Sequence, residues 1–571
     1  MFNPKSTLCK VVACTLLSVG SVACIDDAYD LDDVDTTVRV QVKDLTVPLN
    51  LDEMTLDFIL DYDFDAPDSK IKVVDGVYTF VVDGDFTTGN IHVDPIEMEN
   101  PDIKPAYADF DNIPGLGLLS FELTEPIMST FDYQSGGIDK SIKTIEAIGT
   151  DWVLSIAINV TSNTAQISGY TITDLVLQCP KGLTGKPDKG TYDPQTGLIK
   201  ISKLAESGKS AIVKFPITKV DLAKAGVTFD ANTHSIKFYN EVGIISGTVD
   251  VDKTNNTTLD QITVSIAANP EKLVVNSFTG SFTYDIEDFN IPRIDLGNIP
   301  NVIGQAGTNI ILENPQLYLA LTNPLSDYGV EAQAGLELIA HRGATASKPM
   351  SPDNGIIEIG KNGATGYYNL CLYGKTPYLH PSYPSAVNTA FTDLRNIVSG
   401  ESIPTAISVN VLNPQTKPNT RVVDLKLKDY GKISGKYTFY APLQFAGGST
   451  IVYSSIDDKW DDEDLQDITI TSLELTAKVT NELPISLDVI AEPIDVNGNI
   501  MPCQIEGGKV DANAKDQVVK LHLTGSVSKL DGIKVSATAK TSENSAPLSD
   551  DMAIKFSDLK IKVSGYYDTE L

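Results

Sequence analysis

The sequence predicts an all-β protein built of tandem β-sandwich modules in an elongated arrangement, with one short helix near residues 385–399. Three observations carry this. Runs in which apolar and polar residues alternate, such as Val38-Arg39-Val40-Gln41-Val42, His234-Ser235-Ile236-Lys237-Phe238 and Leu473 to Val479, recur between Gly, Asn, Asp and Pro turns. Period two turns one face to a core and the other to water, as in antiparallel sheets packed face to face. A set of landmarks recurs three times in the same order, and 571 residues exceed what a single core holds.

Taken from the N-terminus, Lys5 and Lys10 lead into Val11 to Ala23, a stretch without a charge. It suits a signal-peptide core and falls short of the roughly 20 apolar residues that a permanent span needs. The quartet Ser21-Val22-Ala23-Cys24 resembles the lipobox of bacterial lipoproteins, with Ser21 standing where Leu is usual. The resemblance implies that residues 1–23 are a lipoprotein signal peptide and that Cys24 becomes the lipidated first residue of the mature chain. The alternative is an ordinary secretory peptide cut at or before Ala23, with Cys24 an incidental thiol.

Residues 24–37 form an acidic tether. Asp26, Asp27, Asp30, Asp32, Asp33 and Asp35 repel one another and leave nothing to bury. The start Cys-Ile-Asp-Asp resembles the acidic export signal of surface lipoproteins in Bacteroidetes, which implies a lipid-anchored protein of the outer membrane facing the cell exterior, with Asp26 and Asp27 as the signal. Asp35-Thr36-Thr37 matches the short O-glycosylation sequon of that phylum, with Thr36 as acceptor.

Beyond the tether we expect three sandwich units, 38–260 (with room for an extra N-terminal β subdomain), 261–405 and 406–571. The borders follow the repeat. A glycine-led aromatic strand opens at Gly76 (GVYTF), Gly280 (GSFTY) and Gly435 (GKYTF). Downstream of each, an alternating strand ends at Asn163, Asn323 or Asn481, where the left-handed backbone that Asn tolerates would make a tight turn. After 34, 32 and 26 residues a glycine opens another strand, at Gly197, Gly355 and Gly507. Leu559 to Asp568 echoes the glycine-led strand, so the chain could end by completing a sheet. Between Ser385 and Gly400, Val387, Phe391, Leu394 and Val398 share one helical face and Gly400 supplies a stop.

Composition narrows the function. The net charge of −32 becomes about −34 when Lys5 and Lys10 leave with the leader, and a chain this acidic is repelled by nucleic acid. Once the leader is removed and Cys24 is lipidated, Cys179, Cys371 and Cys503 remain, too few for a disulfide framework and without CxxC spacing. The five histidines are scattered, and no nucleophile elbow, P-loop or dinucleotide fingerprint occurs. Asp61 to Asp65 has alternate acids but lacks the glycine and glutamate of a calcium loop, which fits acids turned outward with Tyr62 and Phe64 inward. The acidic run around Trp460, with Asp458, Asp461, Asp462 and Asp464, is a weak calcium candidate, a solvated loop being the stronger expectation. Tyr378, His380 and Tyr383, on a proline-broken segment, are candidate contacts for a sugar face or a protein partner. The leading expectation is therefore a non-catalytic cell-surface lipoprotein with a structural, adhesive or assembly role and no required cofactor. A glycan-binding lipoprotein beside an outer-membrane importer comes second, and a hydrolase whose carboxylates are hidden in the sequence third.

Overall fold

The computed structural model describes residues 37–48, 53–56, 62–111, 119–163, 167–207, 210–253, 261–287, 291–297, 307–359, 365–401, 403–457, 468–541 and 545–570. They are almost entirely strand. Six sheets pair into three sandwiches, and all three share one strand order.

That order is clearest in the inner sandwich, whose eight common strands are Ala106–Asp111, Ile127–Ser135, Ile142–Ser162, Ile167–Gln178, Leu198–Glu206, Ser210–Asp221, Ser235–Lys253 and Gln261–Pro270. Numbered one to eight along the chain, they make one sheet in the order six-three-eight-one and a second in the order five-four-seven-two. The middle sandwich repeats both orders with Val77–His92, Ile294–Asp295, Gln316–Thr322, Ala332–Arg342, Ile356–Ile359, Thr365–Cys371, Ala406–Thr416 and Asp429–Pro442. The outer sandwich repeats them with Thr37–Pro48, Thr450–Asp457, Ile468–Asn481, Ile485–Asp495, Lys509–Val510, Gln517–Ser528, Leu530–Thr541 and Ala553–Glu570.

The copies are nested in the sequence. The whole inner sandwich lies between the first and second strands of the middle one, and the whole middle sandwich lies between the first and second strands of the outer one. The sheets therefore do not follow the contiguous spans 38–260, 261–405 and 406–571. Gln261–Pro270 pairs across residue 260 with Ile142–Ser162, and Ala406–Thr416 pairs across residue 405 with Ala332–Arg342. Strand Thr37–Pro48 pairs with Ala553–Glu570, and Val77–His92 with Asp429–Pro442, so both leave the first span for later ones. Backbone ladders between distant segments leave no local mark in a sequence, and an alternating strand looks the same whichever partner it takes.

The sandwiches follow one another in the order outer, middle, inner. The middle joins the outer through Tyr78 N to Leu548 O (3.0 Å) and Leu548 N to Leu443 O (2.9 Å). It joins the inner through Thr420–Lys426, which pairs with Val274–Phe282, and through the ion pairs Arg421–Glu146 (2.8 Å) and Lys219–Asp424 (3.2 Å).

The landmarks fall into this frame unevenly. Asn163, Asn323 and Asn481 all end the third strand, and Gly197, Gly355 and Gly507 precede the fifth with φ of 78°, 66° and 94°, a region that favours glycine. The asparagines do not adopt the left-handed backbone. Asn323 and Asn481 are buried and act through their amides: Asn323 Oδ1 accepts from Leu325 N (3.0 Å), and Asn481 Oδ1 from Leu483 N (3.1 Å). Asn323 Nδ2 donates to Val330 O (2.8 Å), and Asn481 Nδ2 to Ile485 O and Asp511 O (both 2.9 Å). Asn163 is exposed.

The glycine-led strands at Gly76 and Gly435 are neighbours in one sheet, so they do not mark one copy each. Their glycines seat aromatics of the facing strand. A Cβ on Gly435 would lie 2.1 Å from the Phe86 ring, and one on Gly84 would lie 2.3 Å from Tyr437. The closing strand Ala553–Glu570 does complete a sheet, held between Thr37–Pro48 and Ile468–Asn481, with Arg39 4.0 Å above the Tyr566 ring.

The helix near 385–399 shrinks to Leu394–Ile397. Val387–Ala390 is instead a strand running parallel to Thr365–Cys371. The sheet edge offers backbone partners that an isolated helical turn lacks, while Phe391, Leu394, Ile397 and Val398 still turn inward. A second helical turn, Leu222–Ala225, is capped by Asp221 and closed by Gly226 at φ 70°.

Two measurements follow. A compact globule of about 530 residues has a radius of gyration of about 24 Å; sandwiches in series require a clearly larger value by small-angle scattering, and a value near 24 Å would contradict the serial order. Asn481→Ala and Asn323→Ala each orphan buried backbone groups and should cost about 2–4 kcal/mol in urea denaturation, whereas Asn163→Ala should stay within about 0.5 kcal/mol.

Candidate functional site

Cys24, Asp26, Asp27 and Thr36, and the acidic residues Asp458, Asp461, Asp462 and Asp464, lie outside the described residues. Among the described residues no three His, Cys, Asp or Glu side chains converge as metal ligands. Asp63 and Asp65 lie in a turn in which Asp65 N donates to Asp63 Oδ1, while Tyr62 and Phe64 pack edge to face at 5.0 Å and Phe64 meets Tyr78 at 4.4 Å. The rings turn inward as expected, from a turn rather than a strand. Cys179, Cys371 and Cys503 are free thiols, and full burial pushes the Cys179 thiol far up, out of reach of thiolate chemistry.

Tyr378, His380 and Tyr383 do come together, but they face one another and the sheet beneath. Tyr318, at the floor, stacks on Tyr383 at 5.3 Å and meets His380 at 5.2 Å; Tyr440 stands edge-on to His380 at 5.5 Å and meets Tyr378 at 5.8 Å. The Tyr383 hydroxyl lies 2.8 Å from Thr438 Oγ1, which donates to Asp83 Oδ1 at 2.5 Å. The Tyr378 carbonyl lies 2.5 Å from the Tyr318 hydroxyl. Burial raises the pKa of the Tyr318, Tyr378 and Tyr383 phenols and lowers that of His380. These rings fasten residues 377–383 onto the outer face of the middle sandwich. Within that stretch and just before it, the large apolar side chains that stand out in solvent are Leu379 (98 % exposed) and Tyr373 (82 %).

A concave site lies elsewhere, between the two sheets of the outer sandwich: an apolar cavity of about 420 Å³. One sheet supplies Leu475, Ala477, Val479, Leu521 and Phe556, and the facing sheet supplies Ile451, Leu487, Val489, Ala537 and Ala539. Leu443, Phe445 and Leu548, from the junction with the middle sandwich, also border it. The only lining side chain with a polar atom is Tyr453, at 38 % exposure.

Shared topology explains the cavity. Paired sheets stand about 10 Å apart whatever their sequence, so the side chains between them decide whether the gap fills. In the inner sandwich Phe131, Tyr133, Trp152 and Phe238 interlock at centroid distances of 5.6–6.3 Å, and Tyr170 and Phe215 are fully buried as well. Among the described residues, none of the largest fully buried side chains belongs to the outer sandwich. At roughly 24 cal/mol per Å³ an empty void of this size would cost about 10 kcal/mol, comparable with the whole stability of a domain. Entry of water through its open side would lower that cost, at the expense of wetting an apolar wall. The sequence carried a signal for this cavity: the shortage of aromatics at inward positions of residues 475–556. It can be read only once the facing positions are known.

A second, polar pocket lies in the inner sandwich beside Lys219, Asp221 and Lys224. Its charges are engaged: Lys219 pairs with Asp424, and Asp221 caps the helical turn and pairs with Lys224 at 3.3 Å.

No protein-family model matches the chain, and no curated protein matches it significantly. Among solved structures it is similar to a protein of Parabacteroides distasonis ATCC 8503 thought to be secreted, at 14 % identity over 50 % of this chain and 89 % of that one, with a TM-score of 0.33. A chain of Broad Bean Stain Virus aligns at 8 % identity over 47 % and 80 %, TM-score 0.13, and PNGF-II at 10 % over 81 % and 99 %, TM-score 0.10. At these TM-scores none of the three carries an argument about this protein.

The ring cluster predicts a pH effect. Folded His380 has a lowered pKa, so between that value and the unfolded value near 6.5 the unfolded chain binds the extra proton. Its contribution to stability is complete above pH 6.5 and declines on acidification. His380→Phe should flatten the fall in urea midpoint between pH 7 and 5 relative to the parent; an unchanged slope would exclude His380 as the source.

Proposed function

We propose that the protein is a non-catalytic, lipid-anchored protein of the outer cell surface that presents its inner sandwich to a surface partner, in an adhesive or assembly role. The observation that supports this most is the nesting. Thr37–Pro48 follows the acidic tether directly and is an edge strand of the outer sandwich. A chain held at Cys24 thus enters through the outer sandwich, with the middle and inner ones beyond it. The tether of about a dozen residues spans at most about 45 Å at 3.3–3.6 Å per residue. Among the described residues no helix is long and apolar enough to cross a membrane.

The resolved carboxylate shifts offer no candidate general acid among the described residues. The carboxylates with resolved shifts, Glu146, Asp193, Asp230, Glu482, Asp495 and Asp558, all move down, held by hydrogen bonds from Arg421, backbone amides or lysines. A general acid needs the opposite shift. The glycan-binding alternative loses its ring platform, because Tyr383 is buried and Tyr378 and His380 are spent on packing.

Cys24→Ala should abolish metabolic labelling with a fatty-acid analogue; undiminished label would refute the anchor. An epitope placed at the exposed pair Gly136-Gly137 of the inner sandwich should be stained by antibody on intact cells. Staining only after permeabilisation would refute surface display.

A further inference from the structure

We propose that the cavity of the outer sandwich is a binding site for a single unbranched acyl chain, that of a long-chain fatty acid whose head group stays at the open side. The chemistry of the wall selects the class. Ala477, Val479, Leu487, Val489 and Ala539 offer no hydrogen bond, so a ligand with a polar group in its middle would leave that group unpaired. An amphiphile with one polar end avoids this, and the half-exposed Tyr453, with the only side-chain polar atom in the lining, can meet that end.

Size agrees. An engineered apolar cavity of about 150 Å³ stays dry and takes benzene, and this one has 420 Å³. If a methylene takes up about as much room as a water in the liquid, roughly 30 Å³, the space suits a chain of about fourteen carbons. The gap is a slab between two sheets, its walls stepped by Leu, Val and Ala from neighbouring strands; a flexible chain can follow such walls and a rigid polycycle cannot.

The sister sandwiches make the case specific to this module. On the same strand order the inner copy places the buried Tyr170, Ile158, Val249 and Val251 where the outer copy has Leu487, Ala477, Ala537 and Ala539. The void is therefore a property of the side chains in this copy, and the frame has no need of it. The same module carries the strand that follows the tether, so it is the sandwich nearest the bilayer; that last clause alone rests on the proposed anchor at Cys24.

The test uses the full mature chain carrying Cys24→Ala, purified without detergent and stripped of lipid, so that a failure here is independent of the labelling and staining results. Titration with the fluorescent polyene cis-parinaric acid should saturate at one equivalent, and myristic acid should displace it at least tenfold better than octanoic acid. Ala539→Trp, and as a milder filling Ala477→Leu, should weaken binding, the first at least tenfold, with no fall in melting temperature. The proposal is overturned if there is no saturable binding, if affinity is unchanged in both variants, or if both variants melt lower while the parent excludes the probe, which would show the space already filled by the chain itself. Preference for a two-chain phospholipid over the single-chain acids would overturn the single-chain assignment.

Discussion

The architecture depends on one ladder repeated three times, between the first strand of each sandwich and its eighth. In the outer copy it joins Thr37–Pro48 to Ala553–Glu570, and in the middle copy Val77–His92 to Asp429–Pro442. Closing a flexible loop of some 500 residues would cost about 5–6 kcal/mol in chain entropy. Nesting removes most of that cost. The ends of the inner module already lie side by side, since Ile96–Glu97 pairs with Val274–Val275. Once folded, it is a short connector between the first and second strands of the middle module. The ends of the middle module meet in the same way at Tyr78 and Leu443. Folding from the inside outward would turn each long closure into a local one, with the outer module closing last.

One frame with three fillings separates what the modules can do. The inner copy has an aromatic core in which Trp152 Nε1 donates to the Tyr133 hydroxyl (3.1 Å), itself bound to Glu271 O (2.5 Å). The middle copy carries its rings on an outer sheet face, where they hold an irregular segment in place. The outer copy is left underfilled, and its lining residues Ile451, Leu487 and Phe556 remain only partly buried although they point between the sheets. Interiors are otherwise packed to crystal-like density, so a gap of this size between the two sheets of the outer module marks that module as one with room for something else. The apolar core is nevertheless continuous across all three, running from Leu56 to Ile554.

The positions legible in advance were those governed by local rules. Alternation located the strands, and the three asparagines and three glycines located the third and fifth strands of every copy. The fit of aromatics onto Gly84 and Gly435 explains the glycine-aromatic pattern, but that fit is a cross-strand relation, and two such strands are partners in one sheet. The Val387 to Val398 pattern is shorter as a helix than its spacing suggests because four apolar residues at helical spacing can equally be a strand followed by a turn, and the free edge at Thr365–Cys371 decided in favour of the strand.

By itself the sequence determined the all-β class and the threefold recurrence, because period-two burial and glycine at positive φ act within a few residues. Only the tertiary structure decided which strands close which sandwich, that the copies are nested, that Tyr383 is buried while Tyr373 is exposed, and that the outer copy encloses a cavity. Each of these depends on which side chains and backbone groups meet across hundreds of residues, and a hydrogen-bond ladder or a void is a property of the pair of surfaces, absent from either strand alone.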